Sequence, residues 1–491
     1  MHEGDDGPDS VVRRDRFSGG PAREFLSSMD ADERIFTADL AVDRAHVAML
    51  AEQDVVADDE AGAIFGALDD VEQAGFEALP EGEDVHEAIE TAVIDAVGGV
   101  GGKMHTARSR NDEVATCIRY RLRDDLLEAI AVTVGFREQL TEVATAHTDT
   151  VMPGYTHLQP AQPTTVAHWL SSYAQAAERD TARLLDAYDR TNQSPLGAAA
   201  FAGTPFDVDR ERTADLLGFE GLVENSMDAV SARDFLVESV AALAGLSTTL
   251  SGLAEDLIVL ANKGLVELDD DYASTSSIMP QKKNPDTLEL VRSTAGDASA
   301  ALDGLLTTLK GLPRSYNRDL QNATGYAWNA VDAVTAATEV AGGAVGTATW
   351  PEEPLETAAG EGFSTATGVA DLLAMGGLPF RTAHEIVAHA AEAGAARDDE
   401  PGLADVEAAT REVTGSALAE FAAAEAVESA LDPTESVSSR DSRGGPAPGA
   451  ADETLDDLTS AVAAHRDAVQ TRQTNLDDAA KRLQEVVASH E

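Results

Sequence analysis

Ser276-Ser277-Ile278-Met279-Pro280-Gln281-Lys282-Lys283-Asn284-Pro285-Asp286 sets two hydroxyls, two ammonium groups and two amide side chains in one short segment. The chain has six lysines against 88 acidic residues, and two of the six stand side by side here. Positive charge kept in one loop of so acidic a protein points to an anionic ligand. Other segments repeat the pattern. Lys103, His105, Thr106, Arg108, Ser109, Arg110, Asn111 and Asp112 fall within ten residues and read as an anion site at a helix start. Thr156, His157 and Gln159 lie between Pro153 and Pro160, in a constrained turn where an imidazole can act as acid or base near neutral pH. Arg233 stands at the start of a leucine-rich helix, unfavourably for the macrodipole, which asks for a separate reason. Asp228 or Ser231 caps that helix. The turn from Lys310 to Gln321 adds further cations and amides.

Two tempting motifs fail. Gly98-Gly99-Val100-Gly101-Gly102-Lys103 has its first glycine one residue too close to Gly102, Met104 in place of a hydroxyl residue, and no preceding strand, so it is not a phosphate loop. His147, His157 and His168 are spaced by ten and eleven, without thiols, which is not zinc-ligand spacing.

These loops need a scaffold, and the composition says which kind. Alanine is abundant, aromatics are 5%, and the alternation of β-branched residues expected of strands is missing almost everywhere. The reading is all-α. An amphipathic pattern covers 34–78, a short helix 85–97, and long helices 113–147, 164–192, 233–262 and 287–309. In the third long helix Leu236, Val240, Leu243, Leu246, Leu250, Leu253, Leu257 and Leu260 form nearly a heptad seam, widened by Ile258 and Val259. Such a helix buries itself on several sides, which predicts an oligomer built on the central helices. Trp350-Pro351-Glu352-Glu353-Pro354 breaks the pattern. Shorter helices over 365–375 and 382–393, a loop over 432–452 and a last helix over 455–489 follow, with no internal repeat. The domain reading is a disordered tail (1–16), an N-terminal helical domain (17–110), a central bundle (111–355) and a C-terminal helical domain (356–491).

The formal charge of -53 repels nucleic acid and anionic membranes. With 29 arginines and six lysines, the surface suits very high salt, where the Debye length falls to roughly 3 Å or less. Cys117 is the only cysteine, the N-terminus has no apolar core, and no run of about 18 apolar residues is free of charge. The expectation is a cytoplasmic protein with neither membrane nor nucleic-acid partner.

The segment from Ser276 to Asp286 resembles the signature of the fumarase/aspartase superfamily. Gly102 to Asp112, Pro153 to Gln159, Asn225 to Asp234 and Tyr316 to Gln321 resemble the argininosuccinate lyase family, and the match runs from about Arg16 to the last helix. The resemblance implies a three-domain all-α homotetramer with active sites shared between subunits. The implied reaction is reversible β-elimination of argininosuccinate to arginine and fumarate in arginine biosynthesis, with no metal and no organic cofactor. Residue by residue, it implies Ser276 as proton-abstracting base, Lys282 and Asn284 stabilising the dianion, His157 protonating the departing nitrogen and Glu289 pairing with it. Ser28, Arg110, Asn111, Thr156, Arg233, Tyr316 and Gln321 match substrate-binding positions. An ammonium beside Ser276 is expected to stabilise its alkoxide, and the loop 273–284 is expected to close over the substrate. Thr275 stands where the family commonly has glycine, Thr324 where it often has lysine, and Pro446 where it has threonine. Alternatives are another lyase of the superfamily (adenylosuccinate lyase, aspartase or fumarase) or a non-catalytic crystallin-like protein.

Overall fold

In the computed structural model, residues 21–397 and 399–490 are described; the tail read over 1–16 lies outside them. Fifteen of its helices frame the bundle, the site and the C-terminal part, numbered in chain order. They are α1 (Phe36–Glu52), α2 (Asp58–Ala74), α3 (Val85–Val97), α4 (Arg110–Ala146), α5 (Val166–Thr191), α6 (Asp234–Asn262), α7 (Asp286–Leu309), α8 (Asp319–Gly346), α9 (Glu352–Gly360), α10 (Ala366–Met375), α11 (Phe380–Ala395), α12 (Leu403–Thr414), α13 (Ala424–Leu431), α14 (Pro433–Ser438) and α15 (Pro448–His490). The fold is all-α, as the composition predicts.

Helices α4 to α8 form the bundle, with α6 packed against α5, α7 and α8. Every leucine and valine of the predicted seam in α6 is buried, each stabilising by about 1.5–3 kcal/mol. Ile258 and Val259 are half-buried, as a wider apolar face requires. With a mean hydropathy of 1.4, α6 would pass for a membrane span by length and composition; here its apolar face is taken up by neighbouring helices.

The sequence reading undercounts the bundle by one. Helix α8 escapes because its buried face is mostly small: Ala323, Ala327, Ala330, Ala337, Ala341 and Ala344. Gly343 on it admits the Tyr272 hydroxyl so closely that a Cβ would lie 2.0 Å away. A seam of alanine and glycine gives close helix approach but almost no hydrophobic periodicity to read. The predicted pattern over 34–78 divides into α1 and α2, and the predicted loop over 432–452 contains α14 and the start of α15.

The proline-rich turn near His157 is a further correction, because it is regular. Strands β1 (Val151–Thr156) and β2 (Gln159–Thr165) pair antiparallel, Val151 with Thr165 and Thr156 with Gln159, with a register shift between Pro153 and Tyr155. Prolines are tolerated because each strand of a two-stranded ribbon has one edge that needs no ladder hydrogen bonds. Gly154 sits at the shift, where a Cβ would come within 2.5 Å of the Gln162 carbonyl oxygen.

One continuous core joins the bundle to α1–α3, and Leu455, Leu458, Val462, Leu483 and Val487 of α15 return to it. A separate apolar cluster, including Val369, Leu373, Ile386, Val406 and Val427, joins α10–α13.

Candidate active site

A cavity of about 630 Å³ opens beside the first turn of α4. Ser28, Arg110, Asn111, Arg233, Tyr316 and Gln321, all predicted binding residues and spread over some three hundred positions of sequence, line it together. Each is held by local structure. Ser109 caps α4, its Oγ accepting from the Asn111 N–H at 3.3 Å while Asp112 accepts from the Ser109 N–H at 3.0 Å. This capping box aims Arg110 and Asn111 into the cavity. Tyr316 follows Ser315, whose φ of 76° is a left-handed conformation that a serine adopts only under tertiary constraint. Gln321 Nε2 donates to the carbonyls of Leu26 and Ser27, and Ser28 Oγ donates to Asp32 at 2.6 Å.

The charges in the wall are unequal in their satisfaction. Arg110 lies 3.0 Å from Asp84, and Arg318 lies 2.5 Å from Glu83. Arg233 is 3% exposed, and its Nη1 donates only to the Ala232 carbonyl, at 2.8 Å. No carboxylate reaches it within ion-pair distance among the described residues, and its Nε has no partner. Burial presses its pKa down to about 10. A buried, uncompensated guanidinium on a cavity wall is costly until an anion arrives.

Beneath the cavity lies a buried charged knot. Arg108 pairs with Asp43 at 2.6 Å and Glu113 at 2.9 Å, and His86 Nδ1 lies 2.8 Å from Asp39. Burial opposes charge on His86, but Asp39 and then Glu113 outweigh it and raise its pKa to about 10. Much of the run 103–112 is therefore structural, which corrects its reading as one anion site. Arg108 belongs to the knot, Lys103 pairs with Glu60, His105 lies 3.5 Å from Glu90, and Asp112 also accepts from the backbone of Gly197 and Ala199. Only Arg110 and Asn111 of the run line the cavity.

Thr156, His157, Ser276, Lys282, Asn284 and Glu289 do not line it within one chain. Thr156 and His157 are exposed at the tip of the β1–β2 hairpin, where His157 and Leu158 both have positive φ, 57° and 58°. A two-residue turn of this type ordinarily takes Asn-Gly. Holding two bulkier residues there costs on the order of 1–3 kcal/mol each, strain of the sort that clusters at functional sites. Ser276 sits in the loop between Ser274–Thr275 and Lys283–Asn284, which pair antiparallel. Its Oγ accepts from the N–H groups of Met279 at 3.1 Å and Ile278 at 3.4 Å, an arrangement suited to stabilising negative charge on that oxygen. Among the described residues no ammonium hydrogen-bonds to this oxygen: Lys283 is engaged by Asp270 and the Leu268 carbonyl, and exposed Lys282, whose carbonyl accepts from the Ser276 N–H at 3.1 Å, makes no ion pair. Glu289 is exposed on the first turn of α7, unpaired with His157.

Sequence reading missed Asp32, Asp84, His86 and Arg318, which also line the cavity. Arg318 lies inside the cationic turn already singled out. The acidic residues carried no signal in a chain with 88 of them.

A family model described as "Lyase" matches residues 23–299, and one described as "Argininosuccinate lyase C-terminal" matches 363–438. The argininosuccinate lyase of Haloarcula marismortui is 65% identical over 480 residues, covering 98% of this chain and 96% of the relative. That of Natronomonas pharaonis is 66% identical, covering 100% and 98%. Among solved structures, an EDDS lyase in complex with formate superimposes with a TM-score of 0.85 at 33% identity, covering 96% of each chain.

Proposed function

The chain belongs to the argininosuccinate lyase family, and we propose that the cavity binds the substrate while Ser276 and His157 reach it from other subunits of a homotetramer. The reaction is reversible cleavage of argininosuccinate to arginine and fumarate by β-elimination. A proton leaves a carbon next to a carboxylate, and that carboxylate becomes a dianion. Fixed cations and donors aimed at this developing charge supply the largest catalytic term.

In the proposed assignment Ser276 abstracts the proton, its alkoxide supported by the two loop N–H groups. Lys282, without an ion pair among the described residues, and Asn284 stabilise the dianion. His157 protonates the departing guanidino nitrogen with Glu289 beside it. Arg233, Arg110, Asn111, Ser28, Tyr316, Gln321 and Thr156 bind the substrate. The single observation that carries this is the partition itself: one cavity holds six binding residues, an anion-hungry arginine among them, while the proposed acid stands exposed and the proposed base half-buried elsewhere. Subunit assembly supports bringing them together, and the exposed Leu290 and Leu306 of α7 offer apolar surface for it. The proposed tripartite division (17–110, 111–355, 356–491) gives the bundle the assembling role, and a cytoplasmic location suits a biosynthetic enzyme with one buried thiol.

The test mixes two impaired variants, His157→Gln and Arg233→Leu, by co-refolding in molar salt, with turnover read at low argininosuccinate. Activity on argininosuccinate should recover, because some sites receive both intact residues from different chains. No recovery, with each variant alone still tetrameric by light scattering, overturns the shared site; turnover of adenylosuccinate alone overturns the substrate.

A further inference from the structure

Two strands with no third neighbour are marginal in water, and this hairpin carries a strained tip, so something outside it must hold His157 in place. Its base is gripped from the C-terminal part of the chain. Val151 of β1 packs with Ala359 of α9 and Val437 of α14 in a small buried cluster. At the end of β2, Thr164 Oγ1 lies 2.8 Å from His168 Nδ1, and His168 Nε2 lies 3.1 Å from the Gly444 carbonyl oxygen. A carbonyl only accepts, so Nε2 carries a proton. In the neutral ring Nδ1 then accepts from the Thr164 hydroxyl. The His168 backbone N–H is held by the Thr165 cap at 3.1 Å, so the ring is fixed to the first turn of α5. The receiving loop is itself rigid: Gly444 has a φ of 77°, a Cβ on Gly445 would lie 2.4 Å from the Arg440 carbonyl oxygen, and Pro446 and Ala447 are buried.

We infer that His168 is a positioning residue, which by tying β2 and α5 to the Gly444 carbonyl sets where the hairpin presents His157. The hairpin acts as a lever. Thr164 lies seven positions from His157, about 23 Å at roughly 3.3 Å per residue. A tilt of about 2.5° at the base therefore displaces the tip by ~1 Å, and a misplacement of that size can cost on the order of 10²-fold in rate. The inference rests on the assignment of His157 as the acid.

The experiment is a double-mutant cycle on the full-length enzyme in molar salt. His168→Ala should lower kcat about 10- to 100-fold, the range for groups that orient a reacting residue, with KM nearly unchanged. His168→Gln, which keeps an N–H for the Gly444 carbonyl, should restore most of it. In a His157→Gln background the His168→Ala effect should shrink to less than about twofold. Gly445→Ala, which displaces the loop from the other side, should behave as His168→Ala does and stands in for it should that variant not fold. Unchanged kcat in His168→Ala, an equal loss with or without His157, or a failure of glutamine to rescue overturns the positioning role. Full activity of His157→Gln alone instead overturns the assignment of the acid.

Discussion

The cavity wall and the two loops proposed for the chemistry are built on opposite principles. The wall sits on the first turns of long helices and on short segments fastened to them, over a buried knot in which Asp43, Glu113 and Asp39 are matched by Arg108 and His86. His157 sits exposed on a two-residue turn, and half-buried Ser276 sits on a largely exposed loop. The wall is already arranged for an anion in a single chain, whereas the loops have few neighbours and await something else. In the proposed assignment, recognition is preorganised within the subunit and the chemistry is left on elements that assembly brings to it.

The largest test of that contrast separates binding from turnover. Ser276→Ala should lower kcat by at least about 10³-fold, as loss of a nucleophile or base in an assembled site does, while fumarate and arginine still bind by calorimetry. Arg233→Leu should instead weaken fumarate binding by about 10- to 100-fold, the worth of a charged hydrogen bond of about 1.5–3 kcal/mol. If the two variants lose binding and turnover alike, the division is wrong.

Salt should act next, and on the assembly more than on the wall. A charge of -53 is screened over about 3 Å at 1 M salt and about 10 Å at 0.1 M. Activity and tetramer should both fall on dilution into 0.1 M salt, by turnover assay and light scattering, before helical circular dichroism does. A full, active tetramer at 0.1 M would contradict this.

The smallest effect concerns Asp32 in the wall. Burial raises its carboxyl to about 6 from an ordinary 3.8, against the opposing pull of His86, Ser28 and the Val85 N–H. Because the folded value lies above the unfolded one, its contribution is fully present below pH ~4 and is lost as pH rises through about 6. Asp32→Asn should therefore gain ~1–2 kcal/mol relative to the parent between pH 4 and pH 8 in denaturant melts. An identical pH slope for both proteins would rule out Asp32 as the source.

The residues of the site were legible because cations are rare here, so Arg233, Lys282 and Tyr316 to Gln321 stood out against an acidic background. Asp32 and Asp84 could not stand out for the same reason. The seam of α6 was legible because leucines repeat at three and four. Helix α8 was not, since alanine and glycine pack closely without marking a period, and the hairpin was hidden by prolines that suit its free edges.

By itself the sequence determined an all-helical chain, a salt-suited surface and the chemical types its loops supply, because periodicity and charge are local properties. Only the tertiary structure decided that Arg108 serves the core while Arg110 faces the cavity, that Arg233 meets no counter-charge among the described residues, and that His157 stands exposed at a hairpin tip. Those outcomes depend on which groups approach one another across hundreds of residues, and burial, which fixes the worth of each charge, exists only once they have.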